Sequence, residues 1–318
     1  MSDSDRVWHK LIGDRVRLRE LRILHMVIRC GSMAKAAKML VMTQPAVSQA
    51  IGQLEAALGV PMLERTTAGV TPTVFGTAML RCALDAADAL ADGIREVEAL
   101  GDPALGEVVV GTSESYIAGG ALIRTLSVLR QLHPGFRVQI VESNTAALAF
   151  DDLREHRVDI MLGRASVSVL PEDLHQEVLL EERLLVVTGG QHEWARVPAM
   201  RFADLAGKPW VLAPPGSAVY ELVATAYKAE GLPMPVPAVT TYSMMLRLQL
   251  LASGEYVTAF PDSLVRNEAA RWDLAVLPLG LGRTLPVAAY TLRGRAESRA
   301  IRAFIAAAAE VARERRRG

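Results

Sequence analysis

The pattern of apolar residues changes once along this chain, at Gly101-Asp102-Pro103. Before that point apolar residues recur every three or four positions and Pro and Gly are scarce, which indicates helices. After it, β-branched runs such as Val108-Val109-Val110 alternate with helical stretches, as in βαβ units. The 318 residues also exceed what one hydrophobic core usually serves. The sequence therefore predicts a helical head followed by an α/β body.

The order of elements in the body favours a mostly parallel sheet in two halves of similar size. The predicted strands lie near 108–110, 138–141, 159–162, 184–188, 210–213, 236–240, 256–260 and 285–292. The predicted helices lie near 116–132, 144–155, 217–230, 243–252, 262–270 and 297–315. We predict a hinge at 101–106 and an α/β domain over 107–318. Within it, subdomain I covers about 107–182 and 286–318, and subdomain II covers about 183–285.

Three short helices in the head carry their own start and stop signals. Gly31 can adopt the left-handed conformation that ends the first helix, and Ser32 can cap the second. Thr43 is a good N-cap for the third helix, and Gly59 can end it. The second and third helices are separated by a brief turn, so the sequence predicts a helix-turn-helix.

The third helix has one aliphatic face and one polar, uncharged face. The aliphatic positions, at helical spacing, are Val47, Ala50, Ile51, Leu54 and Leu58. The opposite face carries Gln44, Pro45, Ser48, Gln49, Gly52 and Gln53, with Ala46 beside it. Gln can bond adenine bidentately, Ser can meet either kind of base, and Ala can contact a thymine methyl. The pattern predicts a DNA-reading helix, although a solvated helix of an ordinary bundle remains an alternative.

Local charge supports that prediction although the whole chain is neutral, with 35 basic and 35 acidic residues. Residues 15–74 contain eight basic and three acidic side chains, whereas residues 75–100 contain two basic and five acidic ones. Contacts to phosphate supply most nonspecific affinity for DNA. We expect Arg17, Arg22, Lys35 and Arg65 to provide them.

The head resembles the winged helix-turn-helix of LysR-type transcriptional regulators. The resemblance rests on Ala36-Ala37-Lys38-Met39-Leu40, Thr43-Gln44-Pro45-Ala46-Val47-Ser48, Leu54-Glu55-Ala56-Ala57-Leu58-Gly59-Val60 and Leu63-Glu64-Arg65. It implies an all-α winged helix-turn-helix head over 16–74 and a periplasmic-binding-protein-like, two-subdomain body that binds an effector. It also implies a homodimer or homotetramer on an interrupted palindrome of double-stranded DNA, with room for a contact to RNA polymerase. The DNA-binding residues predicted in this way are Ser32, Lys35, Thr43, Gln44, Pro45, Ala46, Ser48, Gln49, Gln53 and Arg65. Many relatives carry arginine where this chain has Ala50 and Gly52, so the contacts around 50–53 depart from the family pattern.

A long helix is predicted between the two parts of the chain, from about 75 to 100. Its apolar residues follow alternating three- and four-residue steps, which is the period of a coiled-coil seam. The seam consists of Leu80, Ala83, Ala87, Leu90, Ile94 and Val97. We predict that this helix, roughly 39 Å long at 1.5 Å per residue, makes the dimer contact. The alternative is a core helix within a monomer.

Hydroxyl and amide side chains follow several predicted strands of the body, where parallel α/β sheets bind ligands. The predicted effector-binding residues are Thr112, Ser113, Ser115, Asn144, Thr145, Arg164, Ser217 and Thr241. Helix starts and Arg164 favour an anion such as a small carboxylate. Glu114 would oppose an anion unless it points outward or pairs with Arg164, so a cationic or neutral ligand stays open.

Other classes of function find less support in the sequence. Six histidines show no metal-binding spacing, and no nucleophile elbow or phosphate loop occurs. Cys30 and Cys82 have no CxxC companion, which favours a reducing compartment. The polar start, 1–15, is expected to be a mobile extension without a secretory signal. We therefore predict a cytoplasmic regulator with no cofactor, metal, membrane contact or catalysis; an α/β enzyme or solute-binding protein using the same cleft is the alternative.

Overall fold

The structure is a computed structural model that describes residues 16–66, 69–101, 106–143, 150–164, 170–295 and 297–317. The chain forms two compact units, Met1–Ile94 and Arg95–Gly318, and each is described by itself. The elements up to the long helix are α1 (Leu18–Cys30), α2 (Met33–Met39), α3 (Gln44–Leu58), β1 (Leu63–Thr66), β2 (Gly69–Pro72) and α4 (Val74–Gly101). The expected mobile extension lies outside the described residues.

The helices of the first unit begin and end where the sequence predicts. Gly31 ends α1 at φ 60°, and Gly59 ends α3 at φ 72°. The Ser32 hydroxyl accepts a hydrogen bond from the Lys35 amide at 3.4 Å, and the Thr43 hydroxyl accepts one from the Ala46 amide at 3.4 Å. Each cap satisfies a backbone donor that the helix itself leaves free.

An antiparallel hairpin, β1–β2, follows the three helices. The description "all-α" therefore applies to the helix-turn-helix but not to the wing. The Val70 amide in β2 donates to the Gly31 carbonyl at 2.9 Å, so the wing is fastened to the turn between α1 and α2. Thr73 then caps α4, accepting from the Gly76 amide at 3.0 Å while its hydroxyl donates to the Pro61 carbonyl at 2.7 Å.

The second unit is an α/β fold. Its strands are β3 (Gly106–Thr112), β4 (Phe136–Glu142), β5 (Ile160–Arg164), β6 (Leu174–Gly189), β7 (Val211–Leu212), β8 (Val239–Thr240), β9 (Val257–Pro261) and β10 (Leu274–Leu292). Its helices are α5 (Glu114–Ala118), α6 (Ala121–Leu132), α7 (Asp151–Arg154), α8 (Ala218–Ala229), α9 (Met244–Ala252), α10 (Asp262–Trp272) and α11 (Arg299–Arg317). Six strands form one sheet in the order β4-β3-β5-β10-β6-β9, and β7 pairs with β8.

The expectation of a mostly parallel sheet is wrong. β3 is parallel to β4 and β5, but β10 is antiparallel to both β5 and β6, and β6 is antiparallel to β9. The predicted strands 184–188 and 285–292 are only the apolar ends of β6 and β10, which have 16 and 19 residues. Charged residues in β6 and Gly or Pro in β10 hide the rest of each strand from an apolar pattern.

The two long strands connect two separate cores. One core contains Leu179 and Leu180 of β6 with Val287 of β10. The other contains Leu184 of β6 and Leu285 of β10. β6 and β10 therefore pass from one core to the other near residues 181–183 and 286, and we call the two parts the first half and the second half of this unit.

Two predicted helices differ from the structure. The helix predicted near 116–132 is divided into α5 and α6, because Gly120 adopts φ 74° and starts a new helix. Of the helix predicted near 144–155, the described residues contain only α7.

Candidate functional sites

The aliphatic face of α3 is buried. Val47, Ile51 and Leu54 are at most 2% exposed and pack with α1 and α2, while Ala50 and Leu58 are half-buried against the same core. This packing fixes the direction of the opposite face.

The polar face of α3 points to solvent. Gln44, Pro45, Gln49 and Gln53 are exposed, and Ala46 and Ser48 are half-buried. Lys35 on α2 is exposed as well, whereas Ser32 and Thr43 act as helix caps. Arg65 lies on β1, but its side chain is outside the described part of the structure.

A surface cavity of about 340 Å³ lies where the starts of α2 and α3 meet the wing. Ser32 and Ala34 line it from α2, Gln44 and Ser48 from α3, and Val70 from β2. The backbone amides at the start of α3 give this region partial positive charge. The cavity can receive a negatively charged backbone beside the polar face.

The predicted seam of α4 changes character along the helix. Ala83 is 8% exposed and Leu80 is half-buried, while Ala87 is exposed. Leu90, Ile94 and Val97 are 51%, 60% and 69% exposed in the single chain. These three large apolar side chains lie on one stripe of the helix and are open to a partner.

In the second unit, the structure brings together three of the predicted effector residues. The Ser113 and Ser115 hydroxyls are 3.2 Å apart, and Arg164 Nη1 donates to Ser115 Oγ at 3.4 Å. This group stands at the carboxyl ends of β3 and β5, where ligands of parallel sheets bind.

Other predicted effector residues have local structural roles. The Thr112 hydroxyl is buried and donates to the Leu162 carbonyl at 3.4 Å. Ser217, 1% exposed, caps α8 by accepting from the Tyr220 amide at 3.3 Å. Thr241 accepts from the Ser243 amide at 3.1 Å. Asn144 and Thr145 lie outside the described residues.

Arg164 is a buried cation with only one acidic partner among the described ion pairs. Its Nη2 lies 3.4 Å from Glu182 Oε2, and its Nε is buried with no hydrogen-bond partner. Burial lowers the pKa of Arg164, and the Glu182 charge opposes that shift. The free donor makes Arg164 able to bind an anion.

A second buried arginine was missed by the sequence analysis. Arg247, in the first turn of α9, is 6% exposed. Its Nε donates to Thr258 Oγ1 at 3.1 Å, its Nη2 donates to the Ala259 carbonyl at 2.8 Å, and its guanidinium lies 4.5 Å from the Phe260 ring centre. Burial and, secondly, the charge of Arg164 lower the pKa of Arg247 to about 9. The available signal was a lone arginine in the apolar run Met244-Met245-Leu246-Arg247-Leu248.

Glu114 does neither of the two things considered from the sequence. Its Oε2 accepts a hydrogen bond from the Met244 amide at 2.6 Å, so the carboxylate of α5 occupies the start of α9. A carboxylate at this helix start is favoured by the dipole. It links the first half of the unit to the second, because α9 packs on the second core cluster around Leu248 and Phe260.

Glu182 lies at the centre of the unit, on β6. It is 6% exposed, accepts a hydrogen bond from Ser263 and lies 3.7 Å from Arg315. With Arg164 on the same carboxylate, Glu182 joins α10, α11 and the end of β5.

Two further searches cover only the residues that the structure describes. Among them, no group of three or more His, Cys, Asp or Glu could hold a metal ion. None of the described helices is long and apolar enough to cross a membrane.

Comparison with known proteins identifies the family. The model of the LysR substrate binding domain matches residues 101–313, and that of the bacterial regulatory helix-turn-helix protein, lysR family, matches residues 18–77. The HTH-type transcriptional regulator GbpR of Azospirillum brasilense is 27% identical over 270 residues, covering 83% of this chain and 77% of its own. The small neutral protease regulatory protein of Streptomyces coelicolor is 30% identical over 271 residues, covering 84% and 80%.

The fold has solved relatives too. Full-length OxyR of Pseudomonas aeruginosa has a TM-score of 0.67 at 24% identity and covers 94% of this chain and 95% of its own. The predicted resemblance and the predicted fold class are confirmed by these matches. The chain belongs to the LysR family of DNA-binding transcriptional regulators, with an N-terminal helix-turn-helix domain and a C-terminal effector-binding domain.

Proposed function

We propose that this regulator reads its operator through the polar face of α3 and changes its activity when a small carboxylate binds in the second unit. The observation that carries the first part is the orientation of α3. Its aliphatic face is buried, so Gln44, Gln49 and Gln53 stand in solvent. Amide side chains on an exposed helix read base edges in the major groove.

The test of the reading face separates base contacts from phosphate contacts. Replacing Gln49→Ala should cost about 1–3 kcal/mol on the natural operator and relax the preference at one base step. Replacing Arg65→Ala should weaken all sequences together and reduce the salt slope by about 1. Fluorescence anisotropy with a set of single-base operator variants measures both. Equal losses on every sequence for the two variants would reject the assignment.

The effector proposal rests on Arg164 and Arg247. The two guanidiniums are buried and close enough that the charge of Arg164 lowers the pKa of Arg247. One ion pair, to Glu182, offsets this charge among the described contacts of the two residues. A carboxylate between them would supply the missing negative charge. Aromatic and aliphatic acids are the first candidates.

Thermal denaturation of the full chain tests the ligand class. At a concentration one hundred times its Kd, a carboxylic acid should raise the Tm by about 5 to 10 °C, and its primary amide should not. The Arg247→Gln variant should lose the response, and Arg271→Gln, at an exposed position of α10, should keep it. A response to the amide equal to that of the acid would contradict the proposed anion site.

We further propose that α4 holds two chains together through Leu90, Ile94 and Val97, as a dimer or within a tetramer. Two heads on a two-fold axis would read two half-sites of an interrupted palindrome. We infer a cytoplasmic location from the DNA target. A contact with RNA polymerase would follow from the same placement near a promoter. The enzyme and solute-binding alternatives lose favour, because the relatives are transcriptional regulators.

A further inference from the structure

A second cavity in the C-terminal unit, of about 320 Å³, has a surplus of positive charge. Arg124, Arg266 and Arg315 line it, and Glu314 is the acidic residue among its lining side chains. The three arginines come from α6, α10 and α11, so distant parts of the chain meet here. Arg164 and Arg247 are not among the lining residues, so the cavity differs from the proposed effector site.

The cavity lies between the two halves of the unit. α6 and α11 pack on the first core through Leu122, Leu129 and Phe304, whereas α10 packs through Leu264 and Val265 on a core of the second half. A ligand that contacts all three arginines therefore spans both halves.

The arginines retain capacity for a further anion. Arg266 pairs with Asp262 on its own helix, and Arg315 lies 3.7 Å from Glu182. None of the ion pairs in the described part of the chain includes Arg124. An oxyanion with more than one charge could engage these guanidiniums together.

The walls of the cavity are closely fitted. A Cβ at Gly119 would lie 2.6 Å from Ser263 Oγ, so a glycine permits this approach of α6 to α10. Asn267 Nδ2 donates to the Ala118 carbonyl at 3.1 Å across the same junction. The start of α6 has no side-chain cap and the N-cap of α10 is Pro261, so the first turns of both helices add partial positive charge.

We propose that this cavity is a second ligand site, for a small multivalent oxyanion such as a phosphate or a tricarboxylate. The anion bridges Arg124 and Arg315 of the first half to Arg266 of the second and holds the halves at one spacing. Glu182 contacts both Arg315 and Arg164, so an anion that engages Arg315 alters the partner of Arg164 as well. That coupling rests on the proposed effector site, but the existence of the second site does not.

Isothermal titration calorimetry of the full chain tests the site, with inorganic phosphate and citrate as separate probes and acetate as the monovalent reference. We expect saturable binding of one or both probes, weakening with added NaCl, and at least tenfold weaker binding by Arg124→Gln. The matched control is Arg130→Gln, an exposed arginine on the same helix, which should bind within twofold of the unmodified protein. Binding of only one probe identifies phosphate or carboxylate as the preferred chemistry.

Two outcomes would overturn the proposal. One is absence of saturable binding for both probes. The other is equal binding by the Arg124→Gln and Arg130→Gln proteins, because binding would then lie elsewhere, for example on the basic head. The Arg247→Gln variant separates this site from the effector proposal. Phosphate or citrate binding should survive in that variant, and its loss would assign the anion to the effector site and reject a second one.

Discussion

Arg247 is placed where its charge is costly. It is buried in the first turn of α9, and the dipole of a helix disfavours a cation at that end. Its hydrogen bonds go to a hydroxyl and a carbonyl, which leave the positive charge without a counterion among them. A residue of this kind is a functional candidate on physical grounds, since a negatively charged ligand would offset the cost of its burial.

The affinity for a carboxylate should depend on pH through this residue. Burial and the charge of Arg164 hold the pKa of Arg247 at about 9, below its ordinary value. The attraction is fully present below that pH and is lost as the pH rises through it. We expect constant affinity from about pH 7 to 8 and about tenfold weaker binding by about pH 10. Calorimetry across this range measures the change; a flat profile, equal to that of Arg247→Gln, would contradict the assignment.

Gly52 offers a separate test on α3. It is exposed in the middle of the helix, and a Cβ there would meet no atom within 4 Å. Gly52→Ala should therefore raise the free energy of unfolding by about 0.5–1 kcal/mol, because a glycine loses more backbone entropy on folding. Chemical denaturation measures this gain. A destabilised protein would show that α3 is not a regular helix at this point.

At the scale of elements, α4 carries the prediction on assembly. Leu90 and Ile94 are more than half exposed in the single chain, and full burial of such a side chain contributes about 1.5–3 kcal/mol. The double change Leu90→Asp plus Ile94→Asp should give monomers in sedimentation velocity. Ala89→Asp adds charge at an exposed position outside the stripe and should leave the assembly intact. If the double variant sediments as the unmodified protein does, the seam lies elsewhere.

Elements with local signals could be predicted from the sequence, and those that depend on distant pairing could not. Gly31, Ser32, Thr43 and Gly59 punctuate helices through their own backbone and side chains, so α1 to α3 follow from the sequence. The long strand β6 alternates buried apolar residues with charged ones only in part, and its pairing with β10 is more than 80 residues away in the chain. Such strands are specified by tertiary contacts.

At the scale of the whole molecule, the change of pattern near residue 101 predicted two parts, and the candidate sites followed less completely. Ser113, Ser115 and Arg164 were placed together because strand ends converge at one edge of a sheet. The contact of Glu114 with α9 and the meeting of Arg164 with Arg315 on Glu182 join segments with no shared local pattern. They needed the folded structure to be seen.

The most direct measurement is the salt dependence of binding between the full-length chain and the promoter region upstream of its own gene, with footprinting at low salt. The reading face predicts two protected half-sites on one side of the duplex and a log–log fall of affinity with salt. It also predicts that Gln44→Ala plus Gln49→Ala lowers sequence preference while salt-sensitive binding remains. Absence of salt-sensitive binding, or an unchanged footprint and sequence preference in the double variant, would contradict the account.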